Sequence, residues 1–148
     1  MTTVALGLPT RRVPDAAASA PGRPEAAGGA LIDTFGRVAR DLRVSVTDRC
    51  NLRCTYCMPA EGLDWMDSAE LLSTDELVRV LTVAVRDLGV HRIRFTGGEP
   101  LLRRDLEEII ARMAALPQRP ELAMTTNGLG LTRRARGLVD AGLDLSLI

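Results

Sequence analysis

The residues of this sequence that are best suited to do chemistry are three cysteines that fall within eight positions. Cys50, Cys54 and Cys57 are the only cysteines in the chain, and their spacing is C-x3-C-x2-C. Three thiolates on one short loop can converge on a single inorganic centre. A cubane cluster has four irons and normally takes four thiolates, so three leave one iron open to an outside chelator. The spacing therefore predicts a site-differentiated [4Fe-4S] cluster, and the amino and carboxylate groups of S-adenosylmethionine (SAM) are suitable ligands for its open iron.

Two simpler interpretations of the cysteines stay open. With His91, the only histidine, they could form a Cys3His zinc site. Zinc cysteines usually come in C-x2-C pairs, however, and His91 is expected at the opposite end of the following strand. Alternatively, Cys54 and Cys57 could be a redox pair, which leaves Cys50 without a role.

The elements that must position this loop alternate between strands and helices. Leu42–Thr47 alternates apolar and polar residues as a strand does. Ser73 and Glu76 form a capping box at the start of an apolar helical stripe that Gly89 should close. Further elements are predicted at residues 90–96 (strand), 105–115 (helix), 122–126 (strand) and 131–141 (helix, closed by Gly142). This order predicts an α/β fold with right-handed parallel crossovers, either a barrel or an open doubly wound sheet.

Three unusual segments follow the three predicted strands. They are the cysteine loop (residues 48–57), the TGGEP turn (residues 96–100) and the TTNG turn (residues 125–128). In both kinds of parallel fold the reactive edge lies at the carboxyl ends of the strands. We therefore expect the three segments to form one site.

The motifs CNLRCTYCMP and TGGEP together resemble the radical SAM superfamily. The wider stretch LRVSVTDRCNLRCTYCMP, the approach Phe35-Gly36-Arg37, the segment RFTGGEPLLRRDL and the TTNG turn are similar to the branch of that superfamily that cyclises GTP in molybdenum cofactor biosynthesis. The resemblance runs from about residue 34 to residue 142. It implies a partial (β/α) TIM-like barrel of the radical SAM type, truncated after about three βα units.

The resemblance also implies an activity and a set of site residues. The activity is removal of a ribose 3′ hydrogen from GTP and closure onto C8, which gives (8S)-3′,8-cyclo-7,8-dihydroguanosine 5′-triphosphate. The implied cluster ligands are Cys50, Cys54 and Cys57. The implied SAM contacts are Tyr56, Gly97, Gly98 and Glu99. The implied GTP contacts are Arg43, Arg94 and Thr125.

Each implied role has a simpler alternative. Tyr56 could shield the cluster from water, and the TGGEP segment could be an ordinary tight turn before a proline. A strand arginine is often only solvated, and the Thr125 hydroxyl could cap the TTNG turn. The charge runs Arg103-Arg104-Asp105 and Arg133-Arg134 are interpreted as helix-start and surface features without a function.

The chain divides into two parts. Residues 1–30, rich in Ala, Pro, Gly and Arg, are predicted to be a disordered leader, and residues 31–148 are predicted to be the N-terminal part of a radical SAM core. The GTP-cyclising branch is more than twice as long and carries a second three-cysteine cluster. Its members also continue into an R-x-N-V-S-L-D strand, to which Ser146 does not align well enough to be assigned. We therefore expect a fragment that is inactive alone.

Composition restricts the partners. The chain has 19 Lys and Arg residues and 19 Asp and Glu residues, so it carries no net charge that would attract nucleic acid. No apolar run would span a bilayer and no secretory signal is present, which predicts a cytoplasmic protein. The resemblance implies GTP as substrate, an electron donor such as flavodoxin or ferredoxin, and a homodimer of the intact parent. The alternatives are a radical SAM enzyme acting on a peptide or another small molecule, and a non-catalytic metal-binding module.

Overall fold

The structure is a computed structural model that describes residues 29–57, 59, 61–67 and 69–147, and for residues 145–147 only the backbone. The predicted leader therefore lies almost wholly outside the described residues. Within them, no helix is both long enough and apolar enough to cross a membrane.

The described chain alternates strands and helices as the sequence predicts. The strands are β1 (Asp41–Ser45), β2 (Arg92–Thr96), β3 (Glu121–Thr125) and β4 (Leu145–Leu147). The helices are α1 (Thr74–Arg86), α2 (Leu106–Ala114) and α3 (Leu131–Ala141), with a short 3₁₀ turn at Pro100–Leu102. Strand β2 begins later than predicted because the N–H of Val90 bonds to the carbonyl of Ala84 and closes α1.

All four strands are parallel, and their order in the sheet is β1-β2-β3-β4. A doubly wound sheet reverses its strand order at a switch point, whereas a barrel adds each strand beside the last. The sequential order is that of a partial barrel and decides between the two predicted alternatives. Strand β4 was not predicted, because a three-residue strand carries too few alternations to be recognised without its neighbour β3.

The sheet has one apolar face, and the helices cover it. In β2, Ile93 and Phe95 are fully buried, while Arg92, Arg94 and Thr96 alternate with them and point to the other face. The apolar side chains that pack with the helices are Leu42, Val44, Ile93, Phe95, Leu122 and Met124. Helix α1 packs against α2, and α2 against α3. The other face is polar, and its residues lie beneath the loops at the strand ends.

The capping box predicted for α1 is present. Ser73 Oγ accepts the N–H of Glu76 at 3.4 Å, and Glu76 Oε2 accepts the N–H of Ser73 at 2.9 Å. The hydrogen bonds from Ser73 lower the pKa of Glu76. At the other predicted stop, Gly142 closes α3 with a φ of 105°, a conformation that favours glycine.

Candidate functional site

The three segments predicted to form one site are joined by hydrogen bonds at the carboxyl ends of the strands. The N–H of Gly98 donates to the carbonyl of Thr47 at 2.8 Å, and the N–H of Glu99 donates to the carbonyl of Arg49 at 2.8 Å. The TGGEP turn is therefore docked along the start of the cysteine loop. The TTNG turn is hydrogen-bonded to the TGGEP turn through the side chain of Glu99 and to the cysteine loop through the side chain of Asn51.

The two glycines of the TGGEP turn are required by this docking. A Cβ on Gly97 would lie 2.2 Å from the Thr47 carbonyl oxygen, and a Cβ on Gly98 would lie 2.3 Å from that of Arg49. Gly97 also has a φ of 143°, which side-chain-bearing residues rarely adopt. The resemblance implies that SAM approaches Gly97 and Gly98 closely, through the space that their missing side chains leave. In the structure the backbone of the cysteine loop fills that space, and a contact of either glycine with SAM stays a prediction.

Glu99 is buried and joins two of the loops. Its side chain is 1% exposed. Oε1 accepts the N–H of Leu101 at 3.0 Å and the hydroxyl of Thr126 at 2.7 Å, and Oε2 accepts the N–H of Asn127 at 2.8 Å. A carboxylate offers about four acceptor positions, so three of them are taken by the protein. The predicted contact with the SAM amino group has to use what remains.

The TTNG turn continues this chain of bonds to the cysteine loop. The side-chain amide of Asn127 donates to Asn51 Oδ1 at 2.8 Å. Its own Oδ1 accepts the N–H of Leu129 at 2.9 Å, which orients the amide group. Asn51 directly follows Cys50, so the turn after β3 contacts the residue beside the first cysteine.

The cysteines are free and lie on the loop with different exposure. Cys50 and Cys54 are partly buried and Cys57 is exposed. The N–H of Leu52 approaches Cys50 Sγ at 3.5 Å, and the N–H of Cys57 bonds to the carbonyl of Cys54 at 2.9 Å. No three His, Cys, Asp or Glu side chains of the described chain are arranged to hold a single metal ion. A four-iron cluster is wider than one ion, and three free thiols on one loop are the donor set it takes.

The fold separates the cysteines from His91. This residue precedes β2, and its N–H bonds to the carbonyl of Arg40 ahead of β1. It therefore lies at the amino edge of the sheet, whereas the cysteines follow the carboxyl end of β1. The structure does not bring together the Cys3His set that was considered as an alternative.

Tyr56 projects from the cysteine loop into solvent. It is 92% exposed, so no described part of the chain covers its ring. An uncovered aromatic face can stack on a planar base. The role predicted for it, a contact with the adenine of SAM, stays a prediction.

The predicted GTP contacts share the polar face of the sheet. Arg43 and Arg94 are direct neighbours in the register of β1 and β2. Arg94 is paired with Ala123 in β3, and Thr125 follows two residues later on the same face. The structure thus brings these three residues to one surface, two strand positions or fewer from the edge that carries the loops.

The charges on this face are not balanced within the described chain. Arg92 bonds to both acidic residues of the face, Glu121 at 2.8 Å and Asp41 at 3.3 Å, and Glu121 followed by Asp41 raises the pKa of Arg92. Among the described residues, no carboxylate pairs with Arg43 or Arg94. A cavity of about 260 Å³ opens here, lined by Asp41, Leu42, Arg43, Arg92 and Arg94.

The two charge runs interpreted as helix-start and surface features include residues that join distant parts of the fold, a role the sequence did not predict. The Arg103 side chain is only 10% exposed and donates to the carbonyls of Val46 and Leu72 at 3.0 and 2.9 Å, while it also pairs with Asp105. Thr74, the first residue of α1, donates its hydroxyl to Asp105. Arg103 thereby joins the end of β1 to the starts of α1 and α2.

Arg134 likewise joins distant parts of the chain through an ion pair and hydrogen bonds to backbone carbonyls. It pairs with Glu107 of α2 and donates to the carbonyls of Leu101 and Arg103 at 2.5 and 2.8 Å. A charged residue in a run carries no sequence signal that separates such a role from solvation, because the accepting carbonyls are distant in sequence. The helix-start part of the interpretation holds, since Asp105 is the N-cap of α2 and pairs with Arg103, whereas Arg103 and Arg134 are not surface residues.

The sequence profile of the Radical SAM superfamily matches residues 44–148, which include the cysteine loop and the TGGEP turn. The chain belongs to the radical SAM superfamily. As the sequence analysis predicted, the cofactors of this family are a [4Fe-4S] cluster and SAM.

Curated relatives share one name. The chain is 60% identical over 144 residues to the GTP 3′,8-cyclase of Mycobacterium sp. (strain KMS) and, also at 60%, to that of Mycolicibacterium smegmatis. It is 56% identical to GTP 3′,8-cyclase 2 of Mycobacterium tuberculosis (strain H37Rv). Each match covers 97% of this chain and 39 to 40% of the relative. The chain therefore spans about two fifths of the length of these relatives.

The fold also matches a solved structure. BtrN in an open conformation superposes with a TM-score of 0.56 at 26% identity, over 76% of this chain and 50% of BtrN. The fold of this chain is therefore similar to part of a solved structure.

Proposed function

We propose that this chain is the part of a GTP 3′,8-cyclase that holds the [4Fe-4S] cluster and SAM and that contacts the triphosphate of GTP. In this proposal the reaction removes a hydrogen from ribose C3′ and joins that carbon to C8 of guanine, on the route to the molybdenum cofactor. The names of the relatives support the proposal, and it extends to this chain the activity of proteins more than twice its length.

The observation that supports GTP as the substrate is the unbalanced positive charge on the polar face of the sheet. Arg43 and Arg94 are adjacent and line a cavity, and both acidic groups of the face are bonded to Arg92. Nε of Arg94 is buried and has no hydrogen-bond partner among the described residues. A buried donor left unbonded costs about 1–3 kcal/mol, which an acceptor from a ligand would recover. Guanidinium groups suit the oxygens of a triphosphate because their planar donors pair bidentately.

In this proposal, residues of the loops at the carboxyl ends of the strands bind the cluster and SAM. When bound, the cluster and SAM supply a carbon radical that can remove a hydrogen atom from an unactivated C–H bond. Cys50, Cys54 and Cys57 hold the cluster, and Tyr56 stacks on the adenine of SAM. Gly97 and Gly98 place their carbonyls, and Glu99 its remaining acceptor position, toward the SAM amino group.

The substrate is held on the strands below. Arg43, Arg94 and Thr125 bind GTP from the polar face, two strand positions or fewer from the loops. Two positions of a parallel strand span about 7 Å, so phosphates on the arginines and a ribose near the cluster fit one ligand. We also propose a reduced flavodoxin or ferredoxin as electron donor, a homodimer of the intact enzyme, and the cytoplasm as compartment, where clustered thiols stay reduced.

Nucleotide binding tests the substrate assignment. We expect Arg43→Ala and Arg94→Ala each to weaken GTP binding by the 148-residue chain about tenfold or more, because each removes charge-assisted hydrogen bonds worth about 1.5–3 kcal/mol. Calorimetric titration with GTP measures this. Arg79→Ala is the matched control, since Arg79 is exposed on the outer side of α1.

Two outcomes would count against the cyclase. If the strand variants bind GTP as tightly as the control, the polar face does not hold the triphosphate. If a chain of the relatives' full length, reconstituted with iron, sulfide, reductant and SAM, splits SAM but leaves GTP intact, the chemistry belongs to a radical SAM enzyme with another substrate.

A further inference from the structure

The chain contains two asparagines, and they bond to each other across 76 residues. Asn51 lies between Cys50 and Leu52 in the cysteine loop, and Asn127 lies in the TTNG turn after β3. The bond runs from Asn127 Nδ2 to Asn51 Oδ1 at 2.8 Å. It is a side-chain contact between a turn of the sheet and the residue beside a cysteine.

Both ends of this bond are oriented by other contacts. The N–H of Asn127 is held by the buried carboxylate of Glu99 at 2.8 Å, and its Oδ1 accepts the N–H of Leu129 at 2.9 Å. With its carbonyl oxygen occupied by a donor, the amide of Asn127 presents its NH2 group to Asn51. The orientation of the Asn127 amide therefore does not depend on its bond to Asn51.

At its Asn51 end, this bond lies next to a contact with the sulfur of Cys50. The N–H of Leu52, which belongs to the peptide directly after Asn51, approaches Cys50 Sγ at 3.5 Å. A sulfur tolerates this donor distance, and the direction of the N–H depends on the rotation of the Asn51–Leu52 peptide. Holding the Asn51 side chain restricts that rotation. The turn can therefore control a hydrogen bond to one of the three thiols.

We propose that Asn127 is a positioning residue for Cys50: through Asn51 it holds the Leu52 N–H against Cys50 Sγ. Cys54 and Cys57 have no such tie to the TTNG turn among the described contacts. The inference rests on the proposed function in that Cys50 is a cluster ligand. Hydrogen bonds to ligand sulfurs stabilise the reduced cluster and raise its potential, so the effect would reach the electron transfer that SAM cleavage needs.

Alkylation of the thiols in the metal-free chain tests the tie without any cluster. Iodoacetamide is added to the full 148-residue chain, and the modified fraction of each cysteine is followed by mass spectrometry. Asn127→Ser keeps an oxygen for the Leu129 N–H but is too short to reach Asn51, and Asn51→Ala removes the other partner. In buffer alkaline enough to ionise free thiols, a sulfur that loses a hydrogen-bond donor is the better nucleophile. Under that condition we expect either variant to raise the rate at Cys50 about two- to tenfold, the range of one net hydrogen bond, with Cys54 and Cys57 unchanged.

Leu129→Ala is the control, because it alters the same turn without removing either amide. The double variant Asn51→Ala/Asn127→Ser should match the single variants, since both act through one bond. Equal acceleration at all three cysteines would mean that the loop is loosened as a whole, and unchanged rates at Cys50 would mean that the bond does not hold it. Either result overturns the inference.

The reconstituted chain separates this inference from the proposed function. Iron and sulfide content of the unsubstituted chain decide whether a cluster is held at all, and a chain without them overturns the proposed function while the thiol rates still stand. If the cluster is held, its reduction potential in Asn127→Ser should shift downward, with the matching change in the EPR spectrum of the reduced state. An unchanged potential together with unchanged thiol rates would leave the proposed function intact and refute the role of Asn127.

Discussion

At the scale of single residues, Glu99 is the group on which the arrangement of the site depends most. It is a buried carboxylate whose oxygens accept donors from Leu101, Thr126 and Asn127. The TGGEP turn and the TTNG turn meet at this side chain. Since Asn127 contacts the cysteine loop as well, Glu99 acts on all three segments.

We predict that Glu99→Gln lowers the free energy of unfolding by about 2–4 kcal/mol. The amide replaces one acceptor oxygen by a donor, which then faces a protein donor in a buried place. Urea denaturation of the metal-free chain measures the change. Glu108→Gln on the exposed side of α2 is the control and should stay within about 0.5 kcal/mol; an equally small effect at Glu99 would contradict the structural role.

The residues of the site differ in how well the sequence predicts them. The cysteines, the glycines and Glu99 can be singled out from the sequence because their motifs are local and uninterrupted, and their ligand contacts stay predictions. Arg103 and Arg134 are missed because the backbone carbonyls that they also bond lie 30 or more residues away and leave no mark on the neighbouring sequence. The reason for Gly97 and Gly98 was also missed, since only the docked cysteine loop shows that a Cβ has no room.

At the scale of elements, helices α2 and α3 are held together by the pair of Glu107 and Arg134. Burial is the largest influence on the Glu107 carboxyl and raises its pKa. Hydrogen bonds from Arg134 and from its own backbone, with the charge of Arg134, outweigh burial, and the net pKa is lowered from 4.5. A carboxylate with a lowered pKa stabilises the fold above its unfolded pKa, and this stabilisation is lost as the pH falls through the folded pKa.

We predict that Glu107→Gln destabilises the chain by about 1–3 kcal/mol near neutral pH, because the variant leaves Arg134 without its partner. The difference from the unsubstituted chain should be constant above about pH 5 and should shrink below about pH 4.5. Thermal or urea unfolding across this range tests it. Asp140→Asn, whose contact with Arg136 is 4.0 Å and exposed, is the control; a difference that grows on acidification would contradict the assignment.

The elements themselves were predicted well because their signals are periodic. The capping box at Ser73 and the closing glycine at Gly142 place helix ends within a residue of the observed ones. Strand β4 was not predicted, because Leu145–Leu147 is recognised as a strand only by its pairing with β3. Sequence periodicity also did not choose between barrel and open sheet, which depend on where each strand pairs rather than on its own residues.

At the scale of the whole molecule, a sheet that is closed on one face by helices presents the other face and one edge to ligands. This edge carries the proposed cofactor site and this face the proposed substrate site. The chain spans about two fifths of the length of its relatives, so the proposed GTP contacts are drawn from that share of the length alone.

We therefore predict that the reconstituted 148-residue chain binds a cluster and splits SAM slowly, yet does not convert GTP to the cyclic product. Anaerobic incubation with dithionite, SAM and GTP, followed by chromatography for 5′-deoxyadenosine and for cyclised nucleotide, measures both. A chain of the relatives' full length is the positive control. Formation of the cyclic nucleotide by the 148-residue chain would show that these residues suffice for the reaction.

The docking of the TGGEP turn onto the cysteine loop also has a consequence for biosynthesis. The ribosome makes Cys50 well before Gly97 and Gly98, and at about 5–20 residues per second the delay is roughly two to ten seconds. During that interval the nascent chain has its thiols but not the surface on which their backbone rests. A cluster inserted after the TGGEP turn has left the ribosome and docked meets a supported cysteine loop, whereas oxidants that reach the thiols earlier meet an unsupported one.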